Sequence, residues 1–382
     1  GQVVARVMTA HRRGPSFGAL GHLRHGRQGT ERRPTQWAIG ISMHRLRCEQ
    51  VASWAVPNRV RFDVVGIGNA LVDVIAHAED RFITRHALVK GSMTLIDTDR
   101  ALELYRALGS AIEMSGGSAA NTMTGVASFG GRAGYIGKVS ADDLGDVFAH
   151  DLRAVGVRFK AGDKNSGIPT GRCIIVVTPD AERTMNTYLG ASSMLNEDDL
   201  DEGMIAAGKV LYMEGYLFDR TEAKQAFRRA AEVAHDHGRQ VSLTLSDSFC
   251  VDRHRSDFRA LVADQVDVLF GNRGELVSLY ETETFDQAVE LVRQECQLAV
   301  VTTGADGCLI IGGDEIVSVP AQPVTEVLDT TGAGDLFAAG FLYGFTRGMA
   351  LAECGRLGAL AAAEVISHVG PRPLVELRTL LV

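Results

Sequence analysis

The sequence predicts an α/β protein: a doubly wound, mostly parallel sheet flanked by helices, with a small β-sheet lid. Three observations carry this. From Val60 onward strand-like and helix-like runs alternate, the pattern of the βα units that build parallel sheets. The alternation breaks twice, over residues 70–100 and 165–190, where strands follow one another without a helix between them. Such strands would pair as a small antiparallel sheet over the C-terminal edge of the large one. Finally, 46% hydrophobic residues and 42 glycines in 382 suit a sheet-and-helix core with many tight turns.

Short apolar runs bounded by turn residues place strands at 62–66, 93–96, 133–136, 172–177, 184–188, 210–213, 240–245, 266–270, 298–302, 308–311 and 316–319. Helical periodicity places helices at 121–129, 143–154, 223–237, 285–295, 336–347 and 351–368. Residues 60–382 read as one domain carrying the lid, without internal repeats. Residues 1–59 stand apart: Arg, Gly and His dominate and no period is sustained, so disorder or a non-native extension is expected, with Met43 as a candidate start.

Charge follows the same division. Residues 1–59 carry ten Arg and no Lys against Glu31 and Glu49, about +8, so a chain of net −8 leaves about −16 for the body. An acidic body does not point to a nucleic-acid partner, and an anionic substrate would need local positive groups. No run approaches the roughly 18 apolar residues of a membrane span. Six scattered cysteines without a Cys-x-x-Cys pair point to reduced thiols in the cytoplasm, with neither disulfides nor zinc.

The most informative stretch is Asp329-Thr330-Thr331-Gly332-Ala333-Gly334-Asp335, which opens the small-residue helical run from Leu336. Two glycines and an alanine at a helix start leave backbone amides bare to an anion, and the helix dipole adds positive potential there. An aspartate at the end of such a loop is misplaced for holding a phosphate at rest. It suits a base that takes a proton from a hydroxyl while the amides steady the phosphoryl group being attacked. An N-cap with tight Gly packing is the plain alternative.

Other motifs are weighed beside it. Gly66-Ile67-Gly68-Asn69-Ala70-Leu71 lacks the third glycine of a dinucleotide loop, which opposes a Rossmann oxidoreductase. Gly131 to Lys138 has one residue too many for a P-loop and is followed by Val139 rather than Ser or Thr. Gly116-Gly117-Ser118-Ala119-Ala120 lacks the last glycine of a nucleophile elbow. With Asn121 it does form a small-residue loop into a helix, suited to close ligand approach or to a simple Asn cap. Asn69 and Asp73 follow the first strand, where a carboxylate can accept from vicinal sugar hydroxyls; a turn Asn and a solvated Asp are the alternative. Asn272 and Glu275 offer oxygens to Mg²⁺ or a helix cap. Thr303-Gly304 is either a nucleotide contact or a hairpin turn.

Together these residues resemble the ribokinase-like (PfkB) family of carbohydrate and nucleoside kinases, over roughly Val60 to the C-terminus. Asp329 through Leu342 satisfies that family's C-terminal signature. Its N-terminal signature is recognisable in Gly116 to Asn121 and Gly130, with departures at Met123 and Ser140. The resemblance implies that Asp335 is the catalytic base, with the amides of Gly332, Ala333 and Gly334 as the anion hole. It implies that Asn272 and Glu275 organise magnesium and phosphate, and that Thr303 and Gly304 lie along ATP. Asn69, Asp73, Gly117 and Asn121 would hold the acceptor's hydroxyls, Arg183 would be a lid arginine, and K⁺ would sit near Asp329 and Thr331.

Gly68 to Asp73, Thr187 to Ala191 and Glu214 to Leu217 resemble the adenosine-kinase-like members most, with Tyr216 a candidate to stack on a purine or to pack in the core. The expected function is ATP-dependent phosphorylation of a primary hydroxyl of a nucleoside, adenosine to AMP. The same-family alternative is a sugar kinase acting on ribose or fructose, and a rival class is a non-catalytic binding relative, which the presence of Asp335 opposes. The implied protein works as a monomer or homodimer.

Overall fold

The computed structural model describes residues 60–160, 167–180, 182–313 and 315–381; the expected extension over 1–59 lies outside them. The chain begins with β1 (Phe62–Ile67), β2 (Leu71–His77), α1 (Asp80–Arg85), β3 (Met93–Leu95), α2 (Thr98–Ala107) and β4 (Ile112–Gly116). It continues through α3 (Ser118–Ser128), β5 (Ala133–Ile136), α4 (Asp143–Ala154), β6 (Arg158–Phe159), β7 (Gly171–Val177) and β8 (Arg183–Tyr188). Next come α5 (Glu202–Ala206), β9 (Gly208–Glu214), α6 (Thr221–Asp236), β10 (Gln240–Thr244), α7 (Ser248–Gln265), β11 (Val268–Asn272) and α8 (Arg273–Tyr280). The last elements are α9 (Phe285–Glu295), β12 (Leu298–Thr302), β13 (Cys308–Gly312), β14 (Glu315–Val319), α10 (Ala333–Phe345) and α11 (Leu351–Ile366).

A nine-stranded sheet runs in the order β14-β13-β12-β11-β10-β9-β1-β5-β6. Its strands are parallel except β13 and β14, which close one edge as an antiparallel pair. The chain winds from β1 outward through β5 and β6, then returns to build β9 to β12 on the other side. This is the doubly wound topology, and β1 marks its switch point. Both faces are covered, so β1 is buried on both sides from Asp63 to Ile67. Helices α3, α10 and α11 bury one face and α6, α7 and α9 the other. The close crossing of α3 on α10 depends on Gly125, where a Cβ would sit 2.6 Å from the Ala339 Cβ. That crossing brings the N-terminal turns of the two helices together.

The lid is larger and more mixed than expected. Its sheet runs β3-β8-β7-β2-β4, with β2–β4 and β7–β8 antiparallel but β2–β7 and β3–β8 parallel. Strands β2 and β4 were not among the expected ones, and residues 70–100 are not free of helix. The six-residue α1 buries only Ile83, too little to leave a periodic trace. Helix α2 is capped by Asp97, whose side chain accepts from the Arg100 amide. Helices α7 and α8 were also missed. Non-helical geometry at His254 breaks α7, and α8 is announced only by its capping box at Asn272 and Glu275.

Candidate active site

Because the central strands run parallel in register, their C-terminal ends form one rim. Ile67 pairs with Met213, Thr244 with Glu214 and Asn272 with Thr302. The lid covers this rim, and between them lies a cleft of about 940 Å³. Of the expected site residues, Asn69, Asp73, Gly117, Asn121, Tyr216, Asn272, Glu275, Gly332, Gly334 and Asp335 all line it. These residues come from five separate places in the chain.

Asp335 occupies the first turn of α10, after Gly332, whose φ of 79° suits glycine. The Ser118 hydroxyl donates to its Oδ1 at 2.6 Å and the Asn121 amide to its Oδ2 at 3.0 Å. Burial raises its pKa, opposed by those two bonds and by the charge of Arg372. The result is a carboxylate of enhanced basicity, held in one orientation and partly open to the cleft. First-turn helix amides have no intrahelical acceptor, which leaves those of Gly334 and Asp335 for an anion. The Ala333 amide differs from expectation, because it donates to the Thr330 carbonyl at 3.2 Å.

Asp73 is the second carboxylate of the cleft. It is 8% exposed, and no donor among the described residues hydrogen-bonds it. Desolvation pushes its pKa up to about 7, against the pull of Arg372 and Arg183 and with the repulsion of Asp335. A buried carboxylate without a partner carries a large desolvation cost, which two ligand hydroxyls would relieve.

Several expected acceptor contacts turn out to be internal supports. Asn69 donates its amide NH₂ to Glu214 at 3.0 Å and accepts from the Ser192 hydroxyl at 3.0 Å, so both ends of its side chain are engaged. Asn121 spends its NH₂ on Asp335 and its carbonyl on Arg372. At Gly117, with φ 94°, a Cβ would run into the Asn69 carbonyl, so glycine here admits the neighbouring backbone rather than a ligand. Glu214 itself was not singled out from sequence. It is buried, accepts from Asn69 and from the Ala119 amide, and is raised to about 7 by burial. Arg372 was likewise missed: nothing marks one arginine near a C-terminus until the fold brings it under Asn121.

On the other half of the cleft, Asn272 and Glu275 cap α8 reciprocally. Glu275 accepts from the Asn272 backbone and side chain, and burial raises it to about 7. The cap reading is therefore satisfied, while both residues still face the cleft. Thr303 and Gly304 do not line it; they turn at its margin, where the Thr303 amide donates to Gly307, and Thr302 lines the wall instead. The Tyr216 hydroxyl donates to the Ser246 carbonyl at 3.2 Å, which ties the ring to the β10 edge. Arg183 lies in a side pocket, paired with Asp329 at 2.7 Å. Asp329 also accepts from the Thr331 amide and hydroxyl and from the Gly370 amide. Asp329, the carboxylate expected beside K⁺, is thus engaged by these donors and already faces a guanidinium.

The pfkB family carbohydrate kinase model matches residues 88–377 of the chain. The crystal structure of adenosine kinase from Sinorhizobium meliloti is 52% identical, with a TM-score of 0.78, over 84% of this chain and 98% of that one. A probable sugar kinase from Rhizobium etli is 49% identical, with the same TM-score and the same shares of the two chains. Adenosine kinase 2 of Arabidopsis thaliana is 25% identical over 331 residues, 80% of this chain and 94% of its own. With a basic carboxylate at the N-terminus of α10 under a β-sheet lid, this chain belongs to the pfkB family of carbohydrate kinases, phosphotransferases with an alcohol group as acceptor.

Proposed function

We propose that the protein is an adenosine kinase, transferring the γ-phosphoryl group of ATP to the primary hydroxyl of adenosine. Asp335 takes the proton of that CH₂OH. The oxygen forms its bond to the γ-phosphorus as the bond to the bridging oxygen breaks, and ADP leaves. The amides of Gly334 and Asp335, at the positive end of α10, receive the charge on the transferred group. Ser118 and Asn121 hold the base in line, and Asp73 accepts from the two ribose hydroxyls. Arg183, on lid strand β8, would reach the phosphoryl group only after releasing Asp329.

The observation that carries the nucleoside reading is the unpartnered Asp73 set beside an apolar lid face. Leu71, Cys173, Ile175, Met185 and Leu189 line the cleft there, with Met93 and Leu95 at the lid edge. A free sugar offers such a face nothing, whereas a purine buries its flat surface against it. The 52% identical relative described as an adenosine kinase supports the same acceptor.

The site suits magnesium arriving with the nucleotide. No cluster of three or more His, Cys, Asp or Glu side chains among the described residues could hold a metal unaided. Asn272 and Glu275 would hold waters of the ion, which supplies charge compensation on the phosphates. Free, buried cysteines at all five described positions suit a reducing cytoplasm, and no described helix is long and apolar enough to cross a membrane.

The test is ADP release with ATP and Mg²⁺ across adenosine, other nucleosides, ribose and fructose, beside Asp335→Asn. Adenosine should be turned over best, and the variant should lose at least about a hundredfold in kcat. Turnover of free sugars alone would overturn the nucleoside assignment.

A further inference from the structure

Arg372 lies outside every motif of the sequence, yet three features of the structure tie it to Asp335. The segment that carries it is docked on the loop before α10. The Gly370 amide donates to Asp329 at 2.8 Å, and Pro371 packs on Gly332 so closely that a Cβ there would lie 2.7 Å from the Pro371 carbonyl. From this anchored turn Arg372 donates through Nε to the Asn121 carbonyl oxygen at 3.2 Å. Its Nη2 is buried without a partner among the described residues.

The first consequence concerns direction. An Asn side chain has a donor end and an acceptor end, and the hydrogen-bond partners decide which faces which way. A guanidinium can only donate. It therefore fixes the Asn121 oxygen toward itself and the NH₂ toward Asp335, where it donates at 3.0 Å. Asp335, an acceptor only, calls for the same orientation, and without the arginine the amide oxygen loses the donor that holds it there.

The second consequence concerns charge. The groups facing Asp335 are Asp73 from β2, Glu214 and Tyr212 from β9, Tyr216 beyond it, Ser118 and Asn121 from α3, and Arg372. Asp73 and Glu214 make three carboxylates with Asp335 itself, and Arg372 is the cation whose pull on Asp335 opposes burial. It faces Asp73, Asp151, Tyr135 and Asp335 together. Its own pKa, lowered by burial to about 10, leaves it charged throughout the neutral range.

We propose that Arg372 is a positioning residue for phosphoryl transfer, orienting the Asn121 amide onto Asp335 and supplying the cation that lets Asp335 and Asp73 be ionised together. It does not line the cleft, so it acts through these side chains and not on the substrate. The inference rests on Asp335 being the base.

The test compares wild type, Arg372→Gln, Arg372→Lys and Asp335→Asn as full chains, with kcat and both KM values measured from pH 5.5 to 9.5. In Arg372→Gln the acid limb of kcat should move to higher pH. At pH 7 kcat should fall by about thirtyfold, recovering in part at pH 9, while KM for ATP stays near wild type. Arg372→Lys keeps the charge but not the fixed fork, so its limb should stay in place while kcat falls. Any limb due to Glu214 is common to all these proteins and cancels in the comparison. A uniform loss in Arg372→Gln across the pH range, or unchanged kcat, would overturn the proposal. Should that variant not fold, a displaced limb in Arg372→Lys would overturn it equally. Full activity in Asp335→Asn would instead sink the base assignment, a separate failure.

Discussion

Asp73→Asn should make the ligand-free protein more stable and a poorer enzyme at once. The structure supplies both magnitudes. The Asp73 carboxyl is 8% exposed, and its pKa rises from 3.8 to about 7. A carboxyl whose pKa is higher when folded binds its proton more tightly in the folded state. Its contribution is thus intact below the unfolded value near 4 and is lost as pH rises through about 7. Three units at 1.36 kcal/mol each set an upper bound of about 4 kcal/mol of destabilisation at pH 8. The cleft admits water, so about 2 kcal/mol is expected, or roughly 3 °C in Tm for a body of this size. An isosteric amide removes that cost.

The same change exchanges a doubly accepting carboxylate for a group with one acceptor and one donor. Losing about 2–3 kcal/mol of charge-assisted bonding raises KM for adenosine roughly 30- to 150-fold. The assays are thermal melts of wild type and variant at pH 5 and pH 8, and initial rates against adenosine at saturating ATP. A variant that melts at or below wild type at pH 8, with KM within about threefold, would refute the claim that Asp73 is an uncompensated charge awaiting a diol.

Other changes separate support from chemistry. Gly117→Ala must accommodate a Cβ at φ 94° against the Asn69 carbonyl, so Tm should drop by several degrees. An unchanged melt would show the β1–β2 connection to be more yielding than its packing implies. Arg183→Gln leaves the 5% exposed Asp329 carboxylate without its cation and should lower both Tm and kcat. A normal melt with reduced kcat would place Arg183 on the phosphoryl group alone. Replacing K⁺ by Na⁺ at constant ionic strength should leave the rate unchanged; potassium dependence would mean that the Arg183–Asp329 pair opens during turnover. Glu275→Gln should raise the Mg²⁺ concentration needed for half-maximal rate while leaving KM for adenosine near wild type, which a magnesium titration checks.

What could be read in the chain was local. Strand-helix alternation gave the parallel sheet, because each βα unit writes its own periodicity. The Gly332–Ala333–Gly334 turn announced a helix start with bare amides, and the positions of Asp335 and Asp73 followed from motifs a few residues long. The lid was recognised by the breaks in alternation, although α1, α2, β2 and β4 were not. A six-residue helix with one buried side chain, or a strand pairing in both senses, carries too short a pattern to register.

Partnership between distant side chains was beyond the sequence. Asn69, Asn121, Asn272 and Glu275 have the right chemistry for ligands, and local reading cannot tell a free amide from one already bonded. Only the crossing of α3 on α10 and the docking of Gly370 to Arg372 decide that Asn121 serves Asp335 and that Arg372 stands behind it. Only burial gives Asp73 its raised pKa, because the desolvation comes from residues far along the chain. Backbone geometry is encoded within a few residues of itself, whereas the electrostatics of a cleft are a sum over everything the fold brings near.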